Sequence, residues 1–149
     1  MSTEISSVVR HLSSPSKQVR LKALKLLFRH PDATPLQLVQ ALCSTDNRNG
    51  EFLQIFELDA AMRGAWKRIR GVVDPAVYKY LSELYLADPQ SNGSSVLGVL
   101  REVATPQALE MLDRLRPSML RIVTPLAFEI TRKTMVASLT SAQAGKRDT

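Results

Sequence analysis

SPSKQVRLKALKLLFR, residues 14–29, carries three signals in one segment. It opens on Ser14-Pro15, a pair suited to a helix start. Val19, Ala23, Leu26 and Leu27 recur at the spacing of one helical face. Lys17, Arg20, Lys22, Lys25 and Arg29 accumulate with no acid among them. Together these predict an amphipathic helix over about residues 15–30, apolar on one side and cationic on the other.

Its opening pair recurs along the chain. Proline costs nothing at the first helical position, where its missing N–H would have no intrahelical partner, and a preceding Ser, Thr or Asp caps a free donor. Thr34-Pro35, Asp74-Pro75, Thr105-Pro106 and Thr124-Pro125 repeat it, and Gln37 three residues after Thr34 completes a capping box. The apolar spacing then predicts helices over about 3–13, 15–30, 35–44, 50–70, 75–87, 93–104, 106–116 and 118–139. Residues 88–95, DPQSNGSS, read as a loop, and 140–149 as a polar, frayed tail behind a single domain over 1–139. Sustained period-two alternation is missing, so the class is all-α.

Within residues 50–70 two apolar faces compete. Phe52, Ile55 and Phe56 share one side, whereas Leu58, Met62, Ala65, Trp66 and Ile69 share another, rotated by roughly a quarter turn. A kink or break near Asp59 or Gly64 resolves the conflict, with Trp66 in the core.

At 149 residues and 44% apolar composition, the chain is long enough to bury a core without cross-links. Cys43, its one cysteine, stands in the apolar run LVQALC and reads as a small buried hydrophobe. The opening MSTEISSVVRHL has no long apolar core, and no stretch approaches the roughly 18 apolar residues of a membrane span. A soluble, cytoplasmic protein is the expectation. The net charge of +6 suits an acidic partner or nucleic acid without demanding either.

Taken in pairs, the predicted helices form about four antiparallel hairpins, whose starts recur within the 20–50-residue range of solenoid repeats. A hairpin of this size must stack on a neighbour to bury its apolar face. Residues 19–27, VRLKALKLL, resemble the second helix of a HEAT repeat: Val19 and Arg20 form the apolar–Arg pair, with Ala23 and Leu27 following at helical spacing. Residues 104–128 are similar again, with Ala108, Leu109 and Leu112 in a first helix and Leu120-Arg121 in the pair position. Ser14 and Ser16 stand where the family commonly has Asp, and Thr124 where it has Ala. The resemblance implies a right-handed, armadillo-like superhelix whose second helices line a concave side that holds protein or nucleic acid. A closed helical bundle is the structural alternative.

Reactive constellations are missing. His11 and His30 each fall near a helix C-terminus, where an imidazolium suits the dipole, and no third ligand stands at metal-site spacing. Gly93 and Gly98 lack the Lys-Ser/Thr of a phosphate loop, and no serine occupies a nucleophile elbow. No catalytic residue, cofactor or metal is therefore assigned.

The candidate site is instead two rows of cations. Lys22, Lys25 and Arg29 share one face of the second helix, and Arg63, Lys67 and Arg70 recur at i, i+4, i+7 in the fourth segment. Arg121 and Arg132 could extend them. These rows point to a non-enzymatic module, a scaffold, adaptor or inhibitor, presenting a basic face to an acidic protein partner. Two further readings stay open: a phosphate-backbone binder, and a subunit of a larger assembly, which exposed Leu21, Leu24 or Phe28 would favour.

Overall fold

A carboxylate or hydroxyl just before a helix can accept one of the N–H groups that the first turn leaves without a partner. The chain uses that device at almost every helix start. The computed structural model describes residues 4–47 and 56–147, and among them every regular element is an α-helix. The helices are α1 (Ile5–His11), α2 (Lys17–Arg29), α3 (Pro35–Asn47), α4 (Phe56–Arg68), α5 (Pro75–Ala87), α6 (Pro89–Val103), α7 (Pro106–Met119) and α8 (Pro125–Arg147). None of them is long and apolar enough to cross a membrane.

The capping box at α3 is formed in both directions. Gln37 N–H donates to Thr34 Oγ1 at 3.1 Å, and Thr34 N–H donates to Gln37 Oε1 at 3.0 Å. Asp74, Thr105 and Thr124 cap α5, α7 and α8 by accepting from Ala76, Ala108 and Ala127 N–H. Each such cap is worth about 1 kcal/mol.

Several boundaries differ from the sequence reading, each for a local reason. Ser16, not Ser14, caps α2, accepting from Val19 N–H. Arg20 explains the shift: its Nη1 donates to the Ser14 and Pro15 carbonyls at 2.8 and 3.0 Å, holding those residues outside the helix. Residues 88–95 are not a loop. Asp88 ends α5 and caps α6 at once, accepting from Ser91 N–H, so the two helices turn on a single residue. Asn92, buried, reaches back with Nδ2 to the Leu84 carbonyl at 2.8 Å. Hydrogen bonds from Ser91 hold the Asp88 carboxyl below its ordinary range.

Pro117 lies in the last turn of α7, where it removes one backbone bond and does not stop the helix. Residues 120–124 then form the connection, and α8 starts at Pro125 rather than 118. It runs on to Arg147, so the polar stretch 140–147 is helical. Gly64 does not break α4, which is continuous from Phe56 to Arg68. Leu58, Ala61, Ala65 and Ile69 are buried along it, while Met62 and Trp66 are half-buried. The competing face with Phe52 and Ile55 lies outside the described residues.

The chain divides into two compact units, Met1–Ile69 and Arg70–Thr149. In the first, α2 packs against α1, α3 and α4, and α3 against α4; Leu27, Phe28, Leu38, Leu42 and Leu58 fill the core. In the second, α6 packs against α5, α7 and α8, and α7 against α8, around Leu81, Tyr85, Leu100, Leu112 and Phe128. Each unit is thus four helices gathered on the second. A helix with three neighbours buries a wide arc. On α2 the buried residues are Ala23, Leu24, Leu27 and Phe28, so the expected seam through Val19 and Leu26 is rotated, and Leu26 stays 40% exposed. With Leu24 and Phe28 buried and Leu21 half-buried, the motive for an assembly subunit on that flank is gone.

Candidate functional site

The cations of the first unit are sorted by helix phase. On α2 the buried face runs through Ala23, Leu24, Leu27 and Phe28; Lys22, Lys25 and Arg29 lie on the opposite side. Lys22 and Arg29 are exposed and Lys25 is half-buried. On α4 the buried face runs through Leu58, Ala61 and Ala65, and Arg63 and Lys67 are exposed on the far side. Arg70 does not continue that row. It lies beyond the end of α4, in the second unit, and its Nε donates to Glu102 Oε1 of α6 at 2.7 Å. Nor do the last two cations extend it: Arg121 falls in the connection before α8, and Arg132 forks onto Asp113 of α7, with Nε–Oδ1 at 2.9 Å and Nη2–Oδ2 at 3.3 Å.

Arg68 fixes how α2 and α4 meet. From the last turn of α4, its Nη1 donates to the Phe28 carbonyl at 3.3 Å and to the His30 carbonyl at 2.8 Å, and its Nη2 to the Ala33 carbonyl at 3.2 Å. These acceptors belong to the C-terminal end of α2 and the link to α3. The C-terminal ends of α2 and α4 therefore lie together, and three carbonyls at a chain reversal are satisfied by one guanidinium. Arg68 is not among the cations singled out from the sequence. The signal for it is its phase: three and seven residues after Ala65 and Ala61, it stands at the edge of the face they bury and not with Arg63 and Lys67.

Grooves open on this unit among the described residues. Between α1 and α2, a groove of about 340 Å³ is lined by Val8, Val19, Ala23 and Leu26, with Lys22 and His11 at its edge. Between α2 and α4, a groove of about 520 Å³ has Phe28, Pro31, Ala60 and Ala61 along its walls; Arg29 and Arg68 stand over it.

The histidines have local duties. His11 Nδ1 is 2.7 Å from the Ser7 carbonyl one turn back. His30, at the C-cap of α2, is buried, and its Nδ1 accepts from Asp32 N–H at 3.1 Å. Cys43 is buried. Among the described residues no three His, Cys, Asp or Glu side chains come together in a group that could hold a metal ion. The first unit thus carries Lys22, Arg29, Arg63 and Lys67 exposed on α2 and α4, beside these grooves. No family model matches the chain, and neither a curated protein nor a solved structure is similar to it.

Proposed function

We propose that the chain is a non-catalytic helical-repeat module that presents a basic face to an acidic protein partner, as a scaffold, adaptor or inhibitor. The observation that carries this reading is the joining of α2 and α4 by Arg68. Two cationic helices with coincident C-terminal ends, each with its cations opposite its own buried face, favour a common wall made of Lys22, Lys25, Arg29, Arg63 and Lys67. No acid stands between Glu4 and Asp32 in the sequence, so every charged side chain of α2 is a cation. The recurrence of one packing order in both units supports the repeat reading.

A carboxylate-rich partner segment would gain charge-assisted contacts there and a faster encounter from the positive field. Carbodiimide coupling tests this directly, because it joins an amine to a carboxylate only when the two are in contact. With the partner co-purified from its native source, cross-links are expected on Lys22, Lys25 and Lys67. Coupling confined to Lys79 and Lys133 of the second unit would remove the proposed face. Duplex DNA held with a steep loss of affinity in salt would assign the wall to phosphate instead.

A further inference from the structure

Gly64 occupies the middle of α4, where glycine costs about 1 kcal/mol against alanine. Nothing in the described chain requires it there: a Cβ at Gly64 would meet no atom within 4 Å, and its backbone is not in the left-handed region. Gly71, by contrast, has a φ of 74° that only glycine adopts freely. The open space beside Gly64 is the α2–α4 groove, about 520 Å³, a size that takes one or two side chains of a ligand. Its walls are apolar. Arg29 and Arg68 stand over it, and Arg68 is held in place by the three carbonyls at the end of α2.

We infer that this groove seats a short acidic segment of a protein partner. A carboxylate would be bonded by Arg29 and the outer edge of Arg68, and a neighbouring small aliphatic side chain would lie over Gly64 against Ala60 and Pro31, which are exposed there. The inference rests on the acidic-partner reading above and narrows it to one pocket and one side-chain pair. Arg68 has five N–H donors, of which three carbonyl contacts take part, so its charge and remaining donors serve a carboxylate. The apolar walls select a peptide over a phosphate backbone, because a phosphate chain leaves such walls uncovered. A side chain at position 64 would fill the seat, which gives the glycine its reason.

The test uses the full chain and a displayed library of random heptapeptides. Selection is expected to enrich peptides with Asp or Glu beside Val, Ala or Ile. Affinity for an enriched peptide should fall about tenfold or more in Gly64→Leu and in Arg29→Glu. Gly64→Leu should nevertheless melt no lower than the parent, since it removes a mid-helix glycine, so lost binding cannot be lost folding. Gly64→Ala should melt higher and bind nearly as the parent does. Enriched peptides without an acid, or undiminished binding to Gly64→Leu, overturn the groove assignment. If acidic peptides still bind Gly64→Leu but not Lys22→Glu/Arg63→Glu/Lys67→Glu, the basic face survives and the pocket does not. If no acidic peptide is selected and a duplex oligonucleotide binds instead, both fall.

Discussion

The two units repeat one packing order and close it with different chemistry. In each, the second helix touches the other three, and the weak point is the link from the second helix to the third, where backbone carbonyls and N–H groups run out of helical partners. In the first unit that link, residues 30–34, is closed from outside by the Arg68 guanidinium. In the second it is only Ala104 and Thr105, closed by neutral hydroxyls. The Val72 carbonyl can only accept, so Tyr78 O–H donates to it at 2.6 Å; Thr105 Oγ1, 2.5 Å from the phenol, must then donate to Tyr78 while accepting Ala108 N–H. The units also treat surface charge differently. The second joins Arg70 to Glu102, Arg116 to Glu129 and Arg132 to Asp113, while the charged residues of α2 in the first are all cations.

The sharpest way to break this comparison is Arg68→Ala. It takes the donor from three carbonyls at once, and hydrogen bonds from a charged donor are worth about 1.5–3 kcal/mol. A loss of about 2 kcal/mol in the urea transition of the first unit is expected. Arg68→Lys should recover less than half, because an ammonium cannot reproduce the planar fork. If Arg68→Ala unfolds with the parent, the joint is held by apolar packing alone and the contrast between the units disappears.

The starts of α3, α5 and α7 followed from the pairing of a cap with its proline alone, whereas Ser14-Pro15 lies just outside α2 and Thr124-Pro125 opens α8 seven residues after the expected start. The sequence misled where composition outweighed that pairing. Asp88-Pro89 is the same pair, yet Ser, Asn and Gly behind it suggested a loop; in the structure Asn92, Gly93 and Ser95 lie on the buried face of α6. The rotation of the α2 seam was illegible because it depends on α2 having three neighbours, a tertiary fact. Of the candidate cations, phase along one helix was readable, and Lys22, Lys25, Arg29, Arg63 and Lys67 face away from their buried sides accordingly. The fate of Arg70 was not, since Glu102 reaches it from 32 residues away.

Tyr78→Phe probes the matching joint of the second unit. Losing one neutral hydroxyl, with Val72 and Thr105 both left short of a partner, should cost about 1 kcal/mol, less than Arg68→Ala. It also carries a pH signature. Burial raises the Tyr78 phenol above its ordinary value, with the Thr105 bond pulling the other way. The folded state therefore keeps a proton that the unfolded state releases. Its contribution is full below pH 10, the unfolded value, and is lost as pH rises through the folded one. Stability measured from pH 9 to 11.5 should fall more steeply in the parent than in Tyr78→Phe; equal slopes would mean the phenol is not buried as described.

Ala104 sharpens the comparison in the opposite direction, because here the second unit is strained. Ala104 ends α6 in the left-handed region, φ 49° and ψ 48°, the conformation glycine adopts without penalty. Ala104→Gly should raise stability by up to about 1 kcal/mol, and Gly71→Ala, at φ 74°, should lower it by about as much. An unchanged or lowered midpoint for Ala104→Gly would show that the link gains more from losing chain entropy than it loses to strain.

The smallest effect expected is also the one that decides whether internal ion pairing matters to the second unit. Arg132 and Asp113 join α8 to α7 with two bonds, but their side chains are 37% and 43% exposed, and pairs in that setting contribute about 0.2–1 kcal/mol. Arg132→Ala alone confounds lost charge with lost packing, so the quantity to measure is the coupling in a double-mutant cycle with Asp113→Ala. Coupling near 0.5 kcal/mol that shrinks as salt is raised would show the pair chiefly neutralising surface charge, leaving the packing of Phe128 and Leu112 to hold α7 on α8. Coupling above about 2 kcal/mol, insensitive to salt, would make the pair as structural as Arg68, and the difference between the two units would then lie in the acceptor, carboxylate or carbonyl, and not in the use of charge.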